Sequence, residues 1–270
     1  MTVIRFRPCI TVFILLLSLT LAGCASTMVN TQAEVPARHS ISEFRDQRFA
    51  EVTDPWEGFN RNMYRFNFYF DKYLFLPVVN SYEFITPPFV QDRVSGFYNN
   101  LGEIRNFTNS LFQLKGIESA TTLGRFVTNS TLGLGGMFDP ATSFGLKRRD
   151  EDFGKTLGYW GTGSGPYVVL PIFGPSSLRD TGGLAVDSGI SYGIYVATDP
   201  FAQTGNALAI SAGITTLEGI DMRHQQSFRY YESGYPFEYY MVRFFNHQKR
   251  EIESRPSLKE ENKEPVTVQE

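Results

Sequence analysis

Asn60, Tyr64, Asn67 and Asp71 fall at i, i+4, i+7 and i+11, so a helix that carries them holds all four on one face. In a water-soluble protein that row would be the solvated side of the helix. In a body seated in a membrane it would line a wet passage, because polar groups at that depth face an interior or a water-filled cavity. Bond-breaking chemistry finds less support. The three histidines are His39, His224 and His247; His39 precedes the patterned region and His247 nearly closes it, which leaves little for a triad or a zinc site. Gly163-Ser164-Gly165 hints at a nucleophile elbow, but Thr162 stands where that motif needs glycine. No Walker loop is present, and Gly133-Leu134-Gly135-Gly136 lacks the spacing of a dinucleotide loop. Glu151-Asp152 reads as solvated loop charge. The chain therefore reads as a non-enzyme, with no catalytic residue, no metal site and no cofactor.

The polar row belongs to an aromatic helix. Phe59, Met63, Phe66, Phe70 and Tyr73 step by 4, 3, 4 and 3, and Asp54-Pro55 before them suits an N-cap followed by proline. Eight aromatic residues lie between Phe59 and Phe75, enough to surround the helix rather than stripe it. A helix apolar on all sides either sits deep in a core or faces lipid, and both readings stand at this level. Phe97, Leu101, Ile104, Leu111 and Leu114 predict a second helix, loosened by Gly96 and Gly102. Leu123, Phe126 and Val127 predict a third, ending at Gly133, Gly135 and Gly136. Those glycines suit a C-cap and turn, or a gating segment. Further helices are expected at about 176–188, 206–224 and 236–250. Tyr167–Leu170 is the one convincing strand-like run, closed by Pro171, so the fold class is mainly α.

Cys24 offers covalent chemistry of another kind. Arg5 and Arg7 precede an apolar run from Ile10 to Leu21, too short for the roughly 20 residues that span a bilayer. Its length and flanks fit a secretory signal peptide over residues 1–23. Leu21-Ala22-Gly23-Cys24 at its end resembles a bacterial lipobox, in which the thiol accepts a diacylglyceryl group. Ala25 follows, not the aspartate typical of inner-membrane retention, which points to the outer membrane. Cys9 leaves with the signal, so the mature chain keeps no thiol for a disulfide, a metal or catalysis. The signal takes away two arginines and no acid, so the net charge of −3 becomes −5. That leaves no basic footprint for nucleic acid. Residues 24–52 are polar and unpatterned and read as a flexible tether. Residues 53–250 read as one folded body. Residues 251–270 read as a disordered charged tail, too poor in apolar side chains to offset their ordering entropy.

Several segments, taken in order, resemble the MlaA/VacJ family of outer-membrane lipoproteins. They are Asp54-Pro55-Trp56-Glu57-Gly58-Phe59-Asn60-Arg61 with Phe66-Asn67-Phe68; Arg125-Phe126 with Asn129 to Gly136 and Asp139; Asp152-Phe153-Gly154 with Thr156-Leu157-Gly158; Gly165-Pro166-Tyr167-Val168 on to Leu178-Arg179-Asp180; and Leu217-Glu218-Gly219-Ile220 with Arg223. The resemblance implies a ring-like bundle of amphipathic helices around a central channel, seated in the inner leaflet of the outer membrane. It implies passage of phospholipid from the outer leaflet to a soluble periplasmic lipid-binding carrier, and association with a trimeric outer-membrane porin. It places Asn67 and Phe68 next to the channel, in line with Asn60, Tyr64 and Asp71. Against it stands a lipoprotein that only scaffolds an envelope complex.

Overall fold

The computed structural model describes residues 52–198 and 206–254. The expected signal peptide, the lipidated Cys24, the tether up to residue 51 and the tail from residue 255 lie outside the described residues.

Helix α1 (Glu57–Phe70) passes without a break through a π-helical turn at Asp71–Phe75 into α2 (Leu76–Ile85). Pro88 opens α3 (Pro88–Phe112), a position where its missing N–H costs nothing, and α3 packs along α4 (Gly116–Thr131). Two short helices follow, α5 (Pro140–Ser143) and α6 (Phe153–Tyr159). Each starts at an aspartate whose carboxylate accepts a backbone N–H: Asp139 from Thr142, Asp152 from Lys155. Strands β1 (Tyr167–Leu170) and β2 (Gly174–Ser177) form an antiparallel hairpin with Tyr167 opposite Ser177. Helices α7 (Leu178–Thr198), α8 (Ala207–His224) and α9 (Glu238–Ser254) complete the described chain.

The mainly helical expectation holds. The second strand is new, since Gly174 and Pro175 carry little strand preference of their own. The helix expected at about 176–188 runs on to Thr198, and α9 continues past 250 to a buried Ser254. Asp54 does not cap α1; Trp56 holds that position, and Asp54 reaches instead to Asn60, Tyr239 and Arg243.

Polar and apolar faces are exchanged relative to a water-soluble bundle. The row Asn60, Tyr64, Asn67 and Asp71 is buried, while Phe59, Phe66 and Tyr73 are exposed. Helix α3 buries Gln91, Asn100, Glu103, Asn106 and Asn109 and exposes Leu101 and Leu111. Helix α4 buries Ser119, Thr122, Arg125 and Asn129 and exposes Leu123 and Val127. The apolar periodicity thus located α1, α3 and α4, though not α2, α5 or α6, and most of the side it marks is the outside. One apolar cluster is buried, around Val52, Tyr64, Tyr167, Val169, Tyr239 and Tyr240. Tyr64 meets the rings of Tyr230, Tyr231 and Tyr239 edge-on at 4.9, 5.3 and 5.8 Å.

After α4 the chain doubles back through Gly133–Phe138 onto α3. The Gly136 N–H donates to Asn129 O at 2.8 Å and the Phe138 N–H to Gly133 O at 3.0 Å. Gly136 has φ +94°, and a Cβ there would stand 2.3 Å from the Asn100 Cβ on α3. Gly135 has φ +74° but open space around it. Gly136→Ala is therefore expected to lower stability by about 3 kcal/mol or more, from backbone strain plus collision, and Gly135→Ala by about 1 kcal/mol from strain alone. Thermal unfolding of the two variants in the same detergent measures the difference; equal losses would mean that α3 does not clamp this turn.

Candidate functional site

The polar row of α1 is brought against the hairpin and the C-terminal helices. The Asn60 amide donates to Tyr167 O at 3.0 Å and to Asp54 at 2.7 Å, and its oxygen accepts the Val169 N–H at 2.8 Å. The Asn67 amide repeats the device, donating to Leu170 O at 2.9 Å and accepting the Ile172 N–H at 2.7 Å. Two side-chain amides thereby stand in for a neighbouring strand along β1 and satisfy an edge that would otherwise be open. Asn67 also holds Ile172 at φ +70°, a conformation that a β-branched residue rarely adopts. Between them, the Tyr64 hydroxyl donates to Glu238 at 2.7 Å. Asp71, at the start of the π-helical turn, receives both arms of Arg223 at 2.6 and 2.7 Å. Phe68 is buried beside them, with the Lys72 ammonium 5.3 Å from its ring centre. The structure therefore gathers Asn60, Tyr64, Asn67, Phe68 and Asp71 in one region, where the four polar residues bond to protein groups.

A second polar region joins α3, α4 and α5. Arg125 is almost wholly buried and bonds Glu103 at 2.7 Å and Asp139 at 2.9 Å, while Asn129 donates to Asp139 at 3.0 Å. The glycines Gly133, Gly135 and Gly136 leave α4 directly after this cluster. A third region joins α6, α7 and α9. Arg250 forks onto Asp152 at 2.7 and 2.8 Å and onto Asp180 at 2.9 and 3.0 Å. Asp187 accepts Asn109 and the Phe153 N–H, both at 2.9 Å, and so ties α3 and α6 to α7.

This corrects the reading of Glu151-Asp152 as solvated charge. Asp152 caps α6 and pairs with Arg250, and Glu151 accepts from Gln113 at 2.9 Å. Sequence reasoning missed Arg125, Asp180 and Arg250 as partners, and only the N-cap character of Asp139 and Asp152 could have hinted at them. Ser164 is buried and its hydroxyl donates to Glu251, not to a histidine. His224 faces Glu83 at 2.6 Å. Among the described residues no group of three His, Cys, Asp or Glu side chains is placed to hold a metal, and no helix is long and apolar enough to cross a membrane.

Burial alone would raise the Asp152 pKa, but the hydrogen bonds and charge of Arg250 outweigh it and hold the group at about 2. Asp139 is also held at about 2: its burial is outweighed by hydrogen bonds from Thr142 and Arg125. Both lie below the ordinary value of 3.8, so their contribution is complete above pH 4 and lost as pH falls toward 2. An acid unfolding series should fall steeply over that window. Arg250→Met should flatten the fall and cost about 3 kcal/mol at neutral pH, because it leaves two partly buried carboxylates facing each other. An unchanged acid profile in that variant would remove Asp152 from the account.

The region with this geometry matches known proteins. A family model described as MlaA lipoprotein matches residues 52–253. The Escherichia coli protein named intermembrane phospholipid transport system lipoprotein MlaA is 35% identical over 209 residues, 76% of this chain and 72% of that one. The Haemophilus influenzae protein of the same name is 31% identical over 181 residues, 66% of each chain. An uncharacterised Rickettsia prowazekii protein is 39% identical over 130 residues, 48% of this chain, and the match spans only about half (52%) of that relative's length. A solved chain from work on the structural basis for maintenance of bacterial outer membrane lipid asymmetry superposes with a TM-score of 0.59 at 32% identity, over 75% of this chain and 99% of its own. With a family match across nearly all the described residues and a like fold, the chain belongs to the MlaA lipoprotein family.

Proposed function

We propose that this protein is an outer-membrane lipoprotein that takes mislocalised phospholipid from the outer leaflet and passes it to a soluble periplasmic carrier for return to the inner membrane. The observation that carries the reading is the exchange of faces: amides, carboxylates and guanidinia inside, aromatic and aliphatic side chains outside. Phe84, Leu114 and Ile117 are 92%, 90% and 86% exposed. A scaffold whose body stood in water would hide such side chains, since large exposed apolar surfaces mark lipid or protein contact. Lipid contact accounts for them directly, because polar groups then turn inward to find partners.

The chemistry of the task fits this build. A phospholipid cannot take its charged headgroup through hydrocarbon without a cost of several kcal/mol or more. A helical body in the periplasm-facing leaflet, arranged around an amphipathic channel, lowers that cost by offering polar groups to the headgroup and apolar surface to the tails. On this reading Asn60, Tyr64, Asn67, Phe68 and Asp71 brace the channel wall, and the Gly133–Gly136 turn borders the path. Lipidation of Cys24 delivers the protein to the outer membrane, and a trimeric porin beside it gives the outer leaflet access. No nucleotide is required for a passive step.

Expression of Cys24→Ala behind a cleavable signal separates this from the scaffold. The body is expected to stay with membranes through a high-salt wash while its sorting to the outer membrane falls. A free periplasmic protein would favour the scaffold. A strain without the gene is expected to show phospholipid in its outer leaflet and weakened detergent resistance; an intact barrier would sink the transport reading.

A further inference from the structure

Among the described residues, the buried or partly buried Arg125, Arg179, Arg223, Arg243 and Arg250 each meet at least one carboxylate, and Arg229 is held by the Gln226 and Phe228 carbonyls. Arg93 meets none among the described residues. It lies one turn after Phe89 on α3, with its guanidinium carbon 5.0 Å from the Phe89 ring centre and 4.5 Å from that of Phe138. Its Nε is buried and has no hydrogen-bond partner. Contacts to the ring faces use up none of the guanidinium's N–H groups, and its terminal N–H groups, which unlike Nε are not enclosed, are left for an acceptor.

The surroundings narrow what that acceptor is. Phe89, Val90 and Phe138 are all exposed, so the half-buried Arg93 lies at the border of an apolar exterior. A cation in such a place needs an anion, since an unpaired charge beside hydrocarbon is costly. The planar fork of arginine matches two oxygens of a phosphate. An anion that also covers the outer parts of two phenyl rings must carry apolar chains of its own. A phospholipid combines both features in one molecule. Phe138 further ties the site to the glycine turn, through its N–H to Gly133 O at 3.0 Å.

We infer that Arg93, held between Phe89 and Phe138, binds the phosphate of a phospholipid headgroup while the rings carry the first carbons of its chains. This rests on the membrane-seated reading above and adds to it a headgroup contact next to the Gly133–Phe138 turn.

The test uses the full-length protein in maltoside detergent, titrated with dihexanoyl phosphatidylcholine, inorganic phosphate and hexyl maltoside, with phosphorus NMR and intrinsic fluorescence as readouts. Arg93→Gln is expected to weaken lipid binding about tenfold, and Arg93→Lys about threefold, as the fork is lost before the charge. Lys147→Gln, at an exposed lysine, is expected to bind as the unmodified protein does. Inorganic phosphate is expected to bind at least about tenfold more weakly than the lipid, having no chains for the rings. Unfolding temperatures confirm that the variants are folded, and Arg93→Lys serves if Arg93→Gln is not. Unchanged lipid affinity in a folded Arg93→Gln or Arg93→Lys protein would overturn the proposal. Equal affinity for inorganic phosphate would replace it with a general anion site, and equal affinity for hexyl maltoside would leave only an apolar one. Membrane partition is followed in parallel: if Arg93→Gln stays in membranes but loses lipid binding, the two readings stand together. If the unmodified body leaves membranes, the membrane-seated reading fails by itself.

Discussion

Arg125 lies almost wholly out of solvent between Glu103 and Asp139, and the positions of α3, α4 and α5 follow from keeping it there. A buried guanidinium has five donors in a fixed plane, so the acceptors must come to it. Glu103 arrives from α3, Asp139 from the cap of α5, and Thr142 and the Leu146 carbonyl from beyond it. The same constraint recurs at Arg250, Arg223 and Arg243. Such pairs are weak evidence for stability in a water-soluble protein, where a packed apolar core does as well or better. Here the balance differs. If the exterior faces lipid, burying apolar side chains gives the helices no reason to associate, because hydrocarbon surrounds them either way. Direct polar bonds and close packing then hold the body together.

Close packing is visible where the third polar region forms. A Cβ on Gly183 of α7 would stand 2.2 Å from the Gly154 nitrogen of α6, and one on Gly158 would stand 2.5 Å from the Ser254 Cβ of α9. Glycine is needed at these points to let three helices approach. Only at that approach can Arg250 on α9 reach both Asp152 on α6 and Asp180 at the start of α7. The glycines and the ion pairs are thus one device, in which the small residue sets the distance and the charge fixes the register. The hairpin is held by a milder version, with Asn60 and Asn67 spending their amides on β1.

Much of this architecture was legible in the residues. The steps of Phe59, Met63, Phe66, Phe70 and Tyr73 found α1, and the run Tyr167–Leu170 found β1. What the steps could not give was which side of each helix lies inward. Periodicity reports that two faces differ, and the medium decides which one is buried. Leu101 and Leu111 mark α3 as helical, yet Asn100, Glu103, Asn106 and Asn109 fill its inner side. Strand β2 escaped because its cause lies elsewhere: Gly174-Pro175-Ser176-Ser177 has no strand character without a partner already fixed by α1. Asp152 reads as solvated in the sequence because its partner is 98 residues away on α9, beyond any local pattern. Cys24 lies outside the described residues, and its lipidation is argued from the Leu21-Ala22-Gly23-Cys24 run alone.

The exchange of faces also changes what a lipid anchor is for. Acyl chains alone give membrane attachment that scales with buried CH₂ groups, and a single chain holds only weakly. A body that presents Phe59, Phe66, Phe84, Ile117 and Leu123 outward adds apolar surface of its own to that of the acyl chains. On the proposed membrane-seated reading, retention would belong to the fold, and a lipid on Cys24 would be left with sorting and with orientation during insertion. Polar pairing inside and apolar display outside are the same choice made once per helix. A substitution that broke the Arg125 or Arg250 pairings would disturb the exposed apolar surface as well, because the outer side chains ride on helices whose rotation those pairs set.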